Sequence, residues 1–143
     1  MNILVPVDGS QHSMEALKVA IDYAKTKNAN VCLINVVPTI EGTDLEISAA
    51  TKEQLSETMA KRADYIIQKA CGDLALENVN ATCKAVVESS SIPDAIVDYA
   101  EKEKTDLIII GSRGLSKSTR FKMGSVASKV VRYAPCSVHV VKL

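Results

Sequence analysis

A loop rich in glycine and basic residues, from Gly111 to Val126, is the stretch whose residue types best suit chemistry. It follows an apolar run and precedes apolar residues at helical spacing, which predicts a strand, a loop and a helix in that order. Its cations and hydroxyls are Arg113, Lys117, Arg120, Lys122, Ser116, Ser118, Thr119 and Ser125. Glycines let backbone N–H groups approach a ligand closely, and the first N–H groups of a helix have no intrahelical partner. The loop therefore predicts phosphate binding at Gly124 and Ser125, although a plain connection with solvated charges has a similar composition.

The spacing of the glycines distinguishes this loop from two better-known phosphate loops. The chain has no Gly-x4-Gly-Lys-Ser/Thr, and no Gly-x-Gly-x2-Gly follows a strand, so neither a P-loop nor a Rossmann dinucleotide site fits. The pattern present is Gly-x2-Gly-x9-Gly-Ser, and it resembles the nucleotide-binding signature of the universal stress protein family. The opening Ile3-Leu-Val-Pro-Val-Asp8-Gly9-Ser10, the segment from Thr105 to Gly114 and the apolar strand after Ala134-Pro135 resemble that family too. The resemblance covers essentially the whole chain.

The resemblance implies an ATP-binding regulator of the stress response. Adenine would lie against Val7 and the backbone of Val36, and the ribose would meet Asp8 and Gly111. The triphosphate would run along Arg113 and Gly114 to Gly124, Ser125 and Val126. The implied site residues are Pro6, Val7, Asp8, Val36, Gly111, Arg113, Gly114, Gly124, Ser125 and Val126. Mg²⁺ would accompany ATP and be held mostly by phosphate oxygens and water, because it seldom needs a protein cage.

The fold can be predicted from apolar patterning. Strands are predicted at 2–8, 31–37, 81–87, 107–110 and 137–141, with four helices between them. Strict alternation of strand and helix predicts an α/β fold, a five-stranded parallel open sheet covered on both faces (Rossmann-like). Continuous apolar runs mark the first, second and fourth strands as interior, and polar alternation marks the third and fifth as edges. Right-handed crossovers then leave 3-2-1-4-5 as the simplest order.

This order predicts where a ligand would bind. Chain direction reverses between the first and fourth strands, and ligands of open α/β sheets bind in the crevice at such a point. Asp8 and Gly111 end those two strands. The patterning therefore brings the aspartate and the glycine loop together independently of the resemblance. Asp8 would equally suit a turn or a helix cap.

Composition narrows the class of protein. The 143 residues predict one domain, 1–143, and 47% hydrophobic with 24% charged residues is typical of a globular chain. Lysine plus arginine equals aspartate plus glutamate at 17 each, which argues against a nucleic-acid partner. A strand close to the first residue leaves no room for a signal peptide, and no apolar run approaches the roughly 18 residues of a membrane span. We therefore expect a cytoplasmic protein with no membrane partner.

The four cysteines are predicted to act as small hydrophobic residues. Cys32, Cys71, Cys83 and Cys136 show no Cys-x2-Cys spacing, and the two histidines lie far apart, so reduced thiols and no metal site are expected.

The helix that ends near Cys71 carries an apolar stripe that is predicted to be core. Its stripe residues are Leu55, Met59, Ala63, Ile66, Ile67 and Ala70. The acidic connection before it, 38–50, suits a bridge or a lid.

Two other functions fit the same sequence. One is slow ATP hydrolysis, or phosphoryl transfer to Ser118 or Thr119, although no obvious base faces the loop. The other is an interaction module that needs no nucleotide and works through an unpaired edge strand. The family resemblance implies a homodimer joined through the last strand, Ser137–Val141. Here Ser137 stands where the family favours proline, and His139 interrupts the aliphatic run, which would weaken the dimer.

Overall fold

The structure, a computed structural model, describes residues 1–39, 48–113 and 123–143. Five strands and four helices alternate along these residues. The strands are β1 Asn2–Pro6, β2 Asn30–Pro38, β3 Ala81–Ser89, β4 Leu107–Gly111 and β5 Ser137–Val141. The helices are α1 Gln11–Lys27, α2 Ala49–Leu76, α3 Ile92–Lys102 and α4 Ser125–Tyr133. The strands pair in parallel in the order β3-β2-β1-β4-β5, which confirms the predicted α/β sheet and its order.

The burial of the strands explains this order. Every residue of β4 is buried, whereas β3 alternates between half-buried and exposed positions, as an edge strand does. Side chains on one face of the sheet, such as Val5 and Leu33, pack with α1 and α2. Side chains on the other face, such as Leu4 and Ile34, pack with α3 and α4. Two apolar layers therefore hold the carboxyl ends of β1, β2 and β4 side by side.

Helix α2 is longer than predicted and only partly buried. Its 28 residues extend to Leu76 and span about 42 Å, whereas the nine residues of β2 span about 30 Å. The start of the helix is the poorly buried part, since Leu55 is 41% exposed and Met59 is half-buried. The prediction that the whole stripe is core was therefore wrong for its first turns.

The prediction of four reduced cysteines was wrong for two of them. Cys32 of β2 and Cys83 of β3 are partners in the strand register, with Cα atoms 4.6 Å apart, and they form a disulfide. The other two, Cys71 and Cys136, are free thiols. Burial raises the pKa of the Cys136 thiol, which keeps it protonated near neutral pH. Sequence spacing could not reveal the disulfide because the two cysteines are 51 residues apart.

His139 of β5 contacts helix α1. His139 packs its ring edge-on against Tyr23 of α1, with centroids 6.2 Å apart, so its side chain belongs to the α1 face of the sheet.

Residues 40–47 of the acidic connection lie outside the described residues, so the bridge and the lid both stay predictions. Among the described helices, none is long and apolar enough to cross a membrane.

Candidate functional site

A cavity of 480 Å³ opens at the carboxyl ends of β1, β2 and β4. This is the crevice that the strand order predicted, and its size is that of a small-molecule site. Nine of the ten predicted site residues line it, namely Pro6, Val7, Asp8, Val36, Gly111, Arg113, Gly124, Ser125 and Val126. The tenth, Gly114, lies outside the described residues, as do Ser116, Lys117, Ser118, Thr119, Arg120 and Lys122.

Asp8 stands where β1 ends and the chain turns into α1. Its Oδ1 accepts a hydrogen bond from the Ser10 N–H at 2.9 Å, which closes a turn of the kind that aspartate favours. Ser10 then caps α1, because its Oγ accepts from the Ser13 N–H at 3.2 Å. The turn leaves the second carboxylate oxygen, Oδ2, without a donor among the described residues. Asp8 therefore forms the turn and also offers an acceptor to the cavity.

Gly111 is required by the packing of α1 as well as by any ligand. A Cβ built on Gly111 would lie 2.7 Å from the His12 Cβ and 2.8 Å from the His12 carbonyl carbon. Both contacts are far shorter than packed carbon atoms allow. The absent side chain thus lets the first turn of α1 lie directly against the end of β4, which draws Asp8 and the glycine loop together.

The two ends of the loop are joined at its base. The Gly124 N–H donates to the Ser112 carbonyl oxygen at 2.7 Å, and the Ser112 N–H donates to the Val141 carbonyl oxygen at 2.8 Å. Helix α4 begins at Ser125, and its N-cap, Gly124, provides no side-chain hydrogen bond. Among the described residues, no side chain caps the first N–H groups of α4, which lie at the cavity beside the positive charge of Arg113.

One wall of the cavity was missed at the level of sequence. This wall comes from two helices. It is lined by four residues of α2, namely Met59, Arg62, Ala63 and Ile66, and by two of α3, Ile92 and Ile96. Asn35 of β2 lines it as well, although β2 was predicted as an almost continuously apolar strand. The helical spacing of Met59 and Ile66 identifies an apolar face, but periodicity does not say whether such a face meets the core or a cavity.

The arrangement separates an apolar end from a positive end. Apolar side chains of β2, α2 and α3 make the apolar end, which Arg62 of α2 also borders, and Arg113 with the start of α4 makes the positive end. Within the described ranges, no cluster of three or more histidine, cysteine, aspartate or glutamate residues could hold a metal ion. The cavity suits a flat apolar group joined to an anion.

Structure comparison finds the same fold in known proteins. Solved structures with the same fold include the universal stress protein UspA of Lactobacillus plantarum (TM-score 0.79, 28% identity, 99% of this chain and 97% of that chain covered). A universal stress protein of Archaeoglobus fulgidus, solved in complex with dAMP, has a TM-score of 0.74 at 24% identity, with 99% and 98% covered. Other universal stress proteins of this fold were solved with cAMP or with AMP.

Sequence comparison extends the likeness to curated proteins. A universal stress protein of Methanocaldococcus jannaschii is 35% identical over 147 residues, covering 98% of this chain and 81% of that protein. The model of the universal stress protein family matches residues 1–142. Since the match spans nearly the whole chain and includes every element that builds the cavity, the chain belongs to the universal stress protein family.

Proposed function

We propose that the protein is a stress-response regulator of the cytoplasm that binds ATP with Mg²⁺ in this cavity. The observation that carries the proposal is the convergence of three features on one 480 Å³ space: a helix N-terminus that no described side chain caps, Arg113 and an apolar wall. A helix N-terminus with a neighbouring cation attracts phosphate, and an apolar wall accommodates a base. The adenine nucleotides found in other family members, dAMP, cAMP and AMP, support the same class of ligand.

The lining residues suggest how the nucleotide is oriented. The base lies at the apolar end, against Pro6, Val7 and the backbone of Val36. The ribose hydroxyls donate to Asp8, whose Oδ2 remains available after the turn is formed. The phosphates extend past Gly111 and Arg113 towards the start of α4 at Gly124, Ser125 and Val126, with Gly114 in the same loop. Mg²⁺ is held by phosphate oxygens and water.

The proposal is one of binding rather than efficient turnover. Among the described residues that line the cavity, Asp8 is the one carboxylate, and it stands at the ribose end of the proposed orientation. A general base for hydrolysis must reach the attacking water, which lies beyond the terminal phosphate. We therefore expect nucleotide occupancy, not hydrolysis, to carry the signal.

Removing the Arg113 charge is expected to weaken Mg-ATP binding about tenfold or more, because a hydrogen bond to a charged group contributes roughly 1.5–3 kcal/mol. The measurement is calorimetric titration of nucleotide-free protein with Mg-ATP, comparing wild type with Arg113→Ala. Arg132→Ala is the matched control, since it removes the same charge from the exposed last turn of α4. Equal affinities for Arg113→Ala and wild type, or no heat from wild type up to millimolar ATP, would contradict the proposed site.

We also propose a homodimer joined through β5. This strand pairs with β4 on one side, and the order of the sheet leaves its other side at the edge. The helix before it, α4, contacts β5 and exposes Val131 and Tyr133. Because His139 packs on the α1 face, its side chain does not interrupt this edge. An unpaired strand edge with neighbouring apolar side chains favours association with a second chain.

Sedimentation equilibrium is expected to give about twice the 15.4 kDa chain mass at micromolar concentration. Val138→Lys is expected to shift the protein towards monomer, because pairing of two β5 strands would bring the two lysines close together. Circular dichroism checks that this variant folds, since Val138 also packs against the core. Val86→Lys, on the opposite edge strand β3, is the control that should leave the dimer intact. A monomeric wild type, or equal loss of dimer in both variants, would refute an interface at β5.

A further inference from the structure

A buried asparagine faces the apolar end of the cavity. Asn35 lies near the end of β2 and is 6% exposed, among strand neighbours that are aliphatic. Alternation along the strand puts its side chain on the same face as Val31 and Leu33, the face covered by α1 and α2. Burying an amide is unfavourable unless its polar atoms find partners. Both polar atoms of the Asn35 amide therefore need hydrogen-bond partners.

The nitrogen of this amide has a partner in the protein. Asn35 Nδ2 donates to the Val7 carbonyl oxygen at 2.7 Å. Pairing of β1 with β2 ends at Pro6 and Ile34, so this side chain supplies a donor to a carbonyl just beyond the paired residues. The contact also determines the orientation of the amide, since the flipped arrangement would set two oxygens 2.7 Å apart.

The oxygen of the amide is left for a ligand. No described residue donates to Asn35 Oδ1, although the nitrogen of the same amide is satisfied. No buried side-chain oxygen or nitrogen in the described part of the chain lacks a partner, so Oδ1 is open to solvent space rather than enclosed by protein. Asn35 lines the 480 Å³ cavity, which is the space it reaches. The apolar end thus contains one oriented acceptor, near Val7 and Val36.

We propose that Asn35 Oδ1 accepts a hydrogen bond from the exocyclic amino group of the bound base and so selects 6-aminopurines over 6-oxopurines. This inference rests on the proposed nucleotide site. An amino group at C6 is a donor and pairs with Oδ1, whereas an oxo group there is an acceptor and leaves two oxygens facing each other. The hydrogen bond to the Val7 carbonyl oxygen prevents the amide from rotating to present its nitrogen to a 6-oxo group. A site that hydrogen-bonds a ligand N–H rejects an analogue that lacks it, because the site's polar group is then left unpaired.

Three triphosphates test the inference on the wild-type chain. ATP has an amino group at C6, purine riboside triphosphate has hydrogen, and inosine triphosphate has oxygen. We expect ATP to bind most tightly, purine riboside triphosphate several-fold more weakly and inosine triphosphate at least about tenfold more weakly. Calorimetric competition with Mg²⁺ present measures all three. Equal affinity for ATP and inosine triphosphate would overturn the role of Asn35 and leave nucleotide binding itself standing, whereas no binding of any of the three would overturn the proposed function as well.

Variants at Asn35 test whether its side chain causes the preference for ATP over inosine triphosphate. Asn35→Leu keeps the size of the side chain and removes the acceptor, so the ratio of ATP to inosine triphosphate affinity should fall to within about twofold. Asn35→Ala is a second variant in case leucine disturbs folding, and circular dichroism checks both. The matched control is Asn30→Leu, at the exposed start of the same strand, which should keep the wild-type ratio. A folded Asn35→Leu or Asn35→Ala protein that keeps the preference for ATP would overturn the inference and move the discrimination to the backbone.

Discussion

Gly111→Ala is expected to lower the free energy of unfolding by about 2–3 kcal/mol, a large effect for the addition of one methyl group. The added Cβ would meet the His12 Cβ at 2.7 Å and the His12 carbonyl oxygen at 2.9 Å. These atoms belong to the backbone of α1 or sit directly on it, so no rotamer change relieves the contact. Helix α1 would have to move away from β4, and the turn at Asp8 would move with it. Urea unfolding followed by circular dichroism measures the change.

Gly72→Ala is the matched control for this prediction. Gly72 lies inside α2, and a Cβ built there meets nothing within 4 Å. Alanine is favoured over glycine in a helix, so this variant should be more stable than wild type by about 0.5–1 kcal/mol. Opposite signs for two identical substitutions would separate the contact with His12 from any general effect of losing a glycine. A Gly111→Ala protein as stable as wild type would show that the contact is absent.

Reduction of the protein is expected to lower the free energy of unfolding by about 2–4 kcal/mol, because the Cys32–Cys83 disulfide closes a long loop in the unfolded chain. The measurement is urea unfolding with and without a phosphine reductant. Thiol titration of the denatured, unreduced protein should detect two free thiols, those of Cys71 and Cys136. Four thiols in that titration, or unfolding curves that coincide, would contradict the disulfide.

Two variants make this experiment specific. Cys71→Ser removes a free thiol and should keep the full sensitivity to reductant. Cys83→Ala removes the disulfide, so its unfolding curve should be the same with and without reductant. Disulfides are rare in cytosolic proteins. The thiol titration, repeated on protein prepared from cells under conditions that block exchange, therefore also bears on the cytoplasmic location expected from the sequence.

The architecture could be predicted from sequence because it depends on local patterns and on chirality. Apolar runs identified the interior strands, alternation identified the edges β3 and β5, and the handedness of crossovers left one simple order. The same reasoning placed Asp8 and Gly111 at one edge of the sheet, and the cavity is lined by both. The glycine spacing indicated the family, and the family model confirms it.

Other features needed the folded chain. Asn35 was overlooked because a single polar residue does not alter the pattern of a buried strand, and its significance lies in the hydrogen bond to Val7. The first turns of α2 were assigned to the core because helical periodicity reveals an apolar face but not what that face meets. Met59 and Ile66 turn out to line the cavity.

By itself, then, the sequence determined which segments form strands and helices, the order of the sheet, the position of the cavity at its edge and the family. Only the tertiary structure decided that Cys32 bonds to Cys83, that Gly111 must lack a side chain beside His12, and that Asn35 lines the cavity with its amide nitrogen bonded to Val7. The physical reason is distance along the chain. Secondary structure follows from neighbours a few residues apart, whereas these contacts depend on strand register and on helix packing to within an ångström, between segments that are distant in sequence.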